Sequence, residues 1–322
     1  LPGMQWQLNP PLWLVVVAAL SAVLLALPRG IPGRWAGVPG IWLLLLWQPA
    51  VPSKGHVELT FFDVGQGLSM LLRTEKHSLL FDAGARSSSG FDMGERIVLP
   101  ELQAMNVERL DAAIVSHGDN DHRGGMPAIL AKVPVDDLLY GGRDVPGWQL
   151  NQRRCEQGQR WQWDGVDFEV LWPPQGMIDS ELSENDLSCV LVVTSGQQAI
   201  LLTGDIERAA EGALPLLDWL NSQPQEYQWF LQVPHHGSRS SSSEALLQPL
   251  DLQQAAVSAG YRNRFGHPHA DVVGRYSDLP SGFWQTNQQG ALRWQFTGGD
   301  VQPEAEFARH TRAALWRRWF GQ

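Results

Sequence analysis

Cysteine is scarce in this 322-residue chain, which holds only Cys155 and Cys189. Two cysteines cannot build a zinc ribbon or a multi-bridge framework, which leaves two separate buried thiols or one disulfide. Acidic residues are missing altogether from residues 1–54, where the charges are Arg29, Arg34 and Lys54. Taking those three positive charges from the net −10 of the whole chain leaves −13 for the remainder. An excess of that sign gives no support to a basic clamp around nucleic acid. It does suit a protein whose clustered carboxylates are neutralised by bound cations. No repeat of fixed period is present, and 43% hydrophobic residues with 15 Trp fit a folded globular chain. The chain opens on Leu1 rather than methionine, which leaves room for a longer protein upstream.

The acid-free segment is also apolar. Residues 12–28 run uncharged, at the short end of what a transmembrane helix needs. A weaker run from about Gly37 to Val51 is interrupted by Pro39 and Pro49. No positive charge precedes the first run, so it does not fit a signal peptide. The pair is expected to form a membrane-spanning hairpin over 1–54. Its loop carries Arg29 and Arg34, and basic loops stay cytoplasmic. Everything after Lys54 is then expected outside the cytoplasm, where Cys155 and Cys189 would pair.

From His56 the pattern changes to short apolar strands separated by glycine-rich turns. Strands are expected at 57–62, 68–73, 78–81, 111–116, 166–171, 190–193, 199–202, 229–233 and 255–258. Helices are expected at 94–105, 125–132 and 207–220. Such alternation argues for a layered α/β domain over 55–300. Residues 301–322 mix Phe307, Leu315, Trp316, Trp319 and Phe320 with Arg309, Arg312, Arg317 and Arg318. That pattern reads as a basic amphipathic tail able to rest on a membrane, or as a helix docked on the domain.

The strongest chemical signal is His117-Gly-Asp119-Asn-Asp121-His122, with four possible metal ligands in six residues directly after a buried strand. Mixed imidazole and carboxylate donors suit zinc, manganese or iron. Matching pieces follow at strand ends or in loops: Asp205 in Leu202-Thr-Gly-Asp205, His235-His236-Gly237-Ser238, and His267 in Phe265-Gly-His267-Pro268. Each alone is weak, because a strand-end Asp is usually a cap and a loop His is usually solvated. Their joint order is what carries weight.

In that order they resemble the metallo-β-lactamase superfamily. With Asp63-Val-Gly-Gln-Gly67, Asp82-Ala-Gly84, Asn185-Asp-Leu-Ser188 and Asn263-Arg-Phe-Gly-His267 they resemble the C-terminal domain of the ComEC competence family. The resemblance implies an αββα sandwich with metals at one edge, and two divalent ions. One ion is expected on His117, Asp119, His235 and Asp205, the other on Asp121, His122, Asp205 and His267. Asp121 and His236 are the expected catalytic residues, His236 contacting a phosphate oxygen or protonating the leaving oxygen. Asn185, Ser188, Ser238 and Asn263 are candidates for hydrogen bonds to substrate or in support of the ligands. The superfamily's commoner motif has a second His where Asp119 stands, and a His where this chain has only 184–188. Both departures trade nitrogen for oxygen, which favours Mn over Zn. The function implied is a membrane-attached, metal-dependent nuclease of DNA uptake in natural transformation, degrading one DNA strand. It would work beside a channel-forming membrane domain upstream, in the inner membrane and on its periplasmic or external side. A small-molecule phosphodiesterase, or a catalytically weak domain that guides DNA through a channel, remains open.

Overall fold

The computed structural model describes residues 10, 12–144, 147–148, 151–177, 180–299, 303 and 305–307. The chain divides into two units, Leu1–Ala50 with Glu101–Glu108, and Val51–Pro100 with Arg109–Gln322. In the larger unit the first sheet takes β1 (Val57–Phe61), β2 (Met70–Arg73), β3 (Ser78–Phe81), β4 (Leu110–Val115), β5 (Val135–Tyr140) and β6 (Gln152–Arg154). The second takes β7 (Arg160–Trp163), β8 (Val166–Trp172), β9 (Val190–Ser195), β10 (Gln198–Leu202), β11 (Gln228–Gln232), β12 (Leu252–Val257) and β13 (Phe283–Gln285). The chain then returns to the first sheet with β14 (Leu292–Phe296) and β15 (Glu306–Phe307). The orders are β15-β14-β1-β2-β3-β4-β5-β6 and β13-β12-β11-β10-β9-β8-β7.

Period-two alternation builds the space between the sheets. Val57, Leu59 and Phe61 of β1 and Leu79 and Phe81 of β3 share one core with Val166, Phe168 and Val170 of β8 and Ile200 and Leu202 of β10. Phe61, Phe230 and Trp294 meet edge to face there, with centroids 4.7–6.1 Å apart. Each such pair contributes about 0.5–1.5 kcal/mol beyond the burial of its area. The opposite face of the second sheet, through Val190, Val192, Ala199 and Leu201, packs on Ile206, Ala210, Leu216 and Trp219. This is the sandwich that the motifs imply. Its consequence for function lies in strand direction. β3 and β4 are parallel, as are β10, β11 and β12. The C-terminal ends of each parallel set therefore open on a common edge, and the chemistry-bearing loops follow those ends.

Several expectations need correction. The helix expected over 207–220 is two helices, Arg208–Ala213 and Leu216–Ser222, because Pro215 cannot continue the first. The segment 94–105 begins as a π-helical turn, Gly94–Val98, before the helix Leu99–Ala104. In the expected amphipathic tail, Glu306–Phe307 is instead an edge strand paired with β14, and residues 308–322 lie outside the described residues.

The smaller unit is a helical hairpin, Leu12–Ala26 and Val38–Leu45 joined through the 3-10 turn Arg34–Gly37. Its two arms approach closely because a Cβ at Gly40 would stand 2.0 Å from Ser21 Oγ. Arg34 Nη2 donates to the Leu25 carbonyl at 3.1 Å, satisfying an acceptor near the end of the first helix. Among the described residues, however, no helix is long and apolar enough to cross a membrane. The 15-residue first helix rises only about 22 Å, against a hydrocarbon core of about 30 Å. Among the described residues of 1–54 the hairpin is thus present as helices, and the two full spans expected there are not.

Cys155 and Cys189 are joined by a disulfide in the interlayer core, with Cα atoms 5.7 Å apart and 34 residues between them in sequence. It ties the segment after β6 in the first sheet to the start of β9 in the second. Closing a loop of that length stabilises by about 3–4 kcal/mol in the chain-entropy model. Cys189→Ser is therefore expected to lower the unfolding free energy by about that amount in a urea titration. A variant as stable as the parent would contradict it.

Candidate metal centre

β4 delivers Ser116 and His117 into the edge, and the turn Asn120–Arg123 folds back to place Asp121 and His122 beside them. β3 ends on Asp82, which is fully buried. Its carboxylate accepts from the Ser116 amide (2.7 Å), from Ser116 Oγ (2.7 Å) and from His122 Nδ1 (2.8 Å). That last bond holds a proton on Nδ1 and leaves Nε2 as the nitrogen available to a metal at the edge. His236 Nδ1 lies 2.9 Å from the Ser258 carbonyl, which can only accept, so its Nε2 is freed in the same way. His117 Nδ1 stands 3.0 Å from Ser116 Oγ, whose own proton goes to Asp82.

Three imidazoles are therefore held through Nδ1 while their Nε2 atoms converge. His122 Nε2 is 3.3 Å from His236 Nε2 and 3.2 Å from Asp205 Oδ2. His236 Nε2 is 3.4 Å from both Asp121 Oδ2 and Asp205 Oδ2. His117 Nε2 faces Asp119 Oδ2 at 3.5 Å. Ligand atoms of His117, His122 and Asp205 lie within 4.8 Å of one another, as do those of Asp121, His122 and His236.

The electrostatics fit a cation. His117 Nε2 and Asp205 Oδ1 are buried with no hydrogen-bond partner among the described residues, a costly state for polar atoms that a metal would relieve. Burial alone would depress the His122 and His236 imidazoles, but the Asp205 charge acting together with Asp82 at His122, and together with the Asp121 bond at His236, outweighs it, and both are raised. Burial likewise opposes ionisation of Asp121, yet the bond from His236 and the charge of His122 bring it down to about 2. Asp205, buried beside His122 and His236, is held well below the usual carboxylate range. The His117 imidazole lowers Asp119. The cluster is built to carry carboxylate charge and demands positive charge in return, which a divalent ion supplies.

The model of the metallo-beta-lactamase superfamily matches residues 62–261, well over half of the chain. The chain belongs to that superfamily. Within it, the chain is 36% identical over 294 residues to Competence protein ComA of Neisseria gonorrhoeae, covering 91% of this chain and 40% of that protein. It is 34% identical to Recombination protein 2 of Haemophilus influenzae, over 76% of this chain and 29% of that one. It is 28% identical to ComE operon protein 3 of Bacillus subtilis, over 80% of this chain and 35% of that one. The chain thus spans two fifths or less of the length of these curated relatives.

The superfamily edge gathers His117, Asp121, His122, Asp205 and His236, with Asp119 at its rim. His235 stands apart. Its Nδ1 bonds Glu207 Oε1 at 2.9 Å, and its Nε2 reaches Asp205 Oδ2 only at 4.0 Å. His267 is outside both ligand groups, its ring centroid 5.9 Å from that of His235. Burial, and then the charges of His236 and His235, depress its pKa to about 4. Ser188 Oγ sits 3.3 Å from His117 Nδ1 and accepts from the Asp205 amide, so it supports ligands. Asn263 spends both ends of its side chain inside its own loop, on the Gly260 and His267 carbonyls and the Phe265 and His267 amides. Ser238 Oγ bonds Ser240 Oγ at 2.9 Å. Asn185 opens the short turn Asn185–Leu187, whose Asp186 carboxylate accepts from the amides of Glu207 and Ala210.

Sequence reasoning misses Asp82, Ser116 and Glu207 as parts of the site. Asp82 has a signal, the Asp-Ala-Gly at a strand end, but a single strand-end Asp looks the same when it merely caps.

Proposed function

We propose that this chain is a metal-dependent phosphodiester hydrolase that cuts DNA in the course of DNA uptake. The observation carrying the reading is the pair of orphaned buried atoms, His117 Nε2 and Asp205 Oδ1, at the meeting point of an Asp- and His-rich ligand set. Competence relatives supply the polymer. Three carboxylates, Asp119, Asp121 and Asp205, among the candidate ligands favour Mn over Zn. A single Nε2 serves one ion, whereas a carboxylate can serve two. With two ions, His117, Asp119 and Asp205 would hold the first, and Asp121, His122, His236 and Asp205 the second. This exchanges the roles expected for the paired histidines, and it leaves His267 beside the site rather than in it.

Such ions supply a Lewis acid for the phosphoryl oxygen and a nucleophilic water at neutral pH. The chain's own residues do the rest. Asp82 and the Ser258 carbonyl keep His122 and His236 in the Nε2-ligating tautomer. Glu207 fixes His235 through Nδ1, leaving its Nε2 at the partly exposed rim, placed to give a proton to the leaving oxygen when the ring is doubly protonated.

The hydrolase unit is further proposed to lie outside the cytoplasm, attached to the membrane and continuous with a channel-forming domain upstream. The basic loop at Arg29 and Arg34 supports this side, and so does the buried disulfide. Apolar side chains left exposed on the first hairpin helix, such as Leu12 (63%), Leu20 (62%) and Val23 (63%), suit a lipid surface. Cells lysed directly into an alkylating reagent should yield a chain with no modified cysteine. Two modified thiols would place the domain in a reducing compartment.

The activity test uses purified protein, linear DNA and Mn. Cleavage should occur and should vanish in Asp121→Ala. His236→Ala should lose bound metal, whereas His235→Ala should keep it and turn over about 10²–10⁴-fold more slowly. DNA left intact with every divalent ion tried would refute the nuclease reading. Metal retained in His236→Ala and lost in His235→Ala would restore the opposite assignment.

A further inference from the structure

The loop Tyr261–His267 presents two large rings to solvent, Tyr261 at 66% exposure and Phe265 at 53%. Each ring carries an arginine on its face. The Arg262 guanidinium carbon lies 5.2 Å from the Tyr261 centroid, and that of Arg264 lies 4.7 Å from the Phe265 centroid. Exposed aromatic surface is ordinarily costly, and the sequence around it is unusual for this chain. Residues 252–270 contain no Asp or Glu, although the chain as a whole carries −10. The loop is also rigidly presented. The Asn263 amide clamps it at both ends through the Gly260 and His267 carbonyls and the Phe265 and His267 amides.

The rings lead somewhere. Phe265 stacks on His267 with centroids 5.7 Å apart and planes 24° from parallel. His267 in turn stands 5.9 Å from His235, at the rim of the metal centre. A row of flat side chains thus runs from open solvent to the site.

We propose that this loop is a landing platform for unpaired nucleic-acid bases, which stack on Tyr261 and Phe265 while Arg262 and Arg264 meet the flanking phosphates. The choice of polymer rests on the nuclease reading above. The chemistry is that of single-strand binders, in which rings take bases of any sequence and cations track the backbone. A duplex hides its base faces and would gain only the phosphate contacts. The same residues could enter a lipid surface, but a row of rings ending at the rim of the metal centre has no purpose there.

The test measures binding to the full chain in EDTA, so it does not depend on turnover. A fluorescein-labelled oligothymidylate is compared by anisotropy with an abasic strand of equal length. The parent protein should bind the base-bearing strand about tenfold or more tighter than the abasic one. Tyr261→Ala/Phe265→Ala should bind both strands equally and weakly, with unchanged thermal unfolding because both side chains are exposed. Arg262→Gln/Arg264→Gln should flatten the salt dependence by a slope of about 0.7 for each phosphate no longer neutralised. The proposal is overturned if the parent does not distinguish the strands, or if the ring variant still does. It is also overturned if the rings matter only for binding phosphatidylserine vesicles. Binding of this kind without DNA cleavage in Mn would sink the nuclease reading and spare the platform. Cleavage without base discrimination would do the reverse.

Discussion

The buried carboxylate of Asp82 holds the site together. It sits where β3 ends, in the left-handed region at φ 59°, with no exposure to solvent. A carboxylate buried so completely is tolerable only when both of its oxygens are hydrogen-bonded. The Ser116 amide holds one, and the Ser116 hydroxyl and the His122 ring hold the other. Through these bonds one side chain fixes the end of β4, where the ligand motif begins, and the tautomer of its last histidine. Through Ser116 it also reaches His117.

The other half of the site is fixed by backbone rather than by a carboxylate. His235, His236 and Gly237 follow β11 in a left-handed run, at φ 48°, 52° and 80°. Non-glycine residues there cost about 1–3 kcal/mol each and persist only where the surroundings enforce them. The enforcement is visible in the His236–Ser258 bond, the Ser241 hydroxyl on the Pro234 carbonyl, and the fit of Gly237, where a Cβ would come within 2.5 Å of Pro268. The run turns His236 inward, to 3% exposure, and His235 toward the rim. Strain in the loop and order in the ligands are the same feature.

Much of this is legible in the sequence, up to a physical limit. Short apolar runs ending in Asp, His or Gly-Asp locate β3, β4, β10 and β11, because a buried strand and a polar loop after it leave an unmistakable pattern. β6, β7 and β13 at the sheet edges, and β5 beside one, leave a fainter pattern, because they are short or carry charges such as Asp136 and Arg153 that break the apolar signal. β14 does alternate over Leu292–Phe296, a pattern the expected strands omit. The paired histidines can be found from the sequence but their roles cannot, since spacing carries no information on a left-handed turn that reverses which of two neighbours faces in. The hairpin shows the same gap: 17 uncharged residues suggest a span, yet the helix itself covers only 15 of them. Asp82 lies in a recognisable motif, but its importance comes from partners that are distant in sequence.

Whether Asp82 sets the ligand geometry by holding His122 in one tautomer is isolated by the variant Asp82→Asn. Asparagine tolerates the left-handed backbone and can still accept from the Ser116 amide. Its amide nitrogen, however, would donate to His122 Nδ1 and turn an Nε2–H toward the metal centre. Manganese binding to the parent and to Asp82→Asn, measured by isothermal titration calorimetry alongside thermal unfolding in EDTA, decides the matter. The expected result is an affinity lower by about 10–100-fold in a variant that still folds. Equal affinity in the two proteins would mean that Asp82 does not set the ligands.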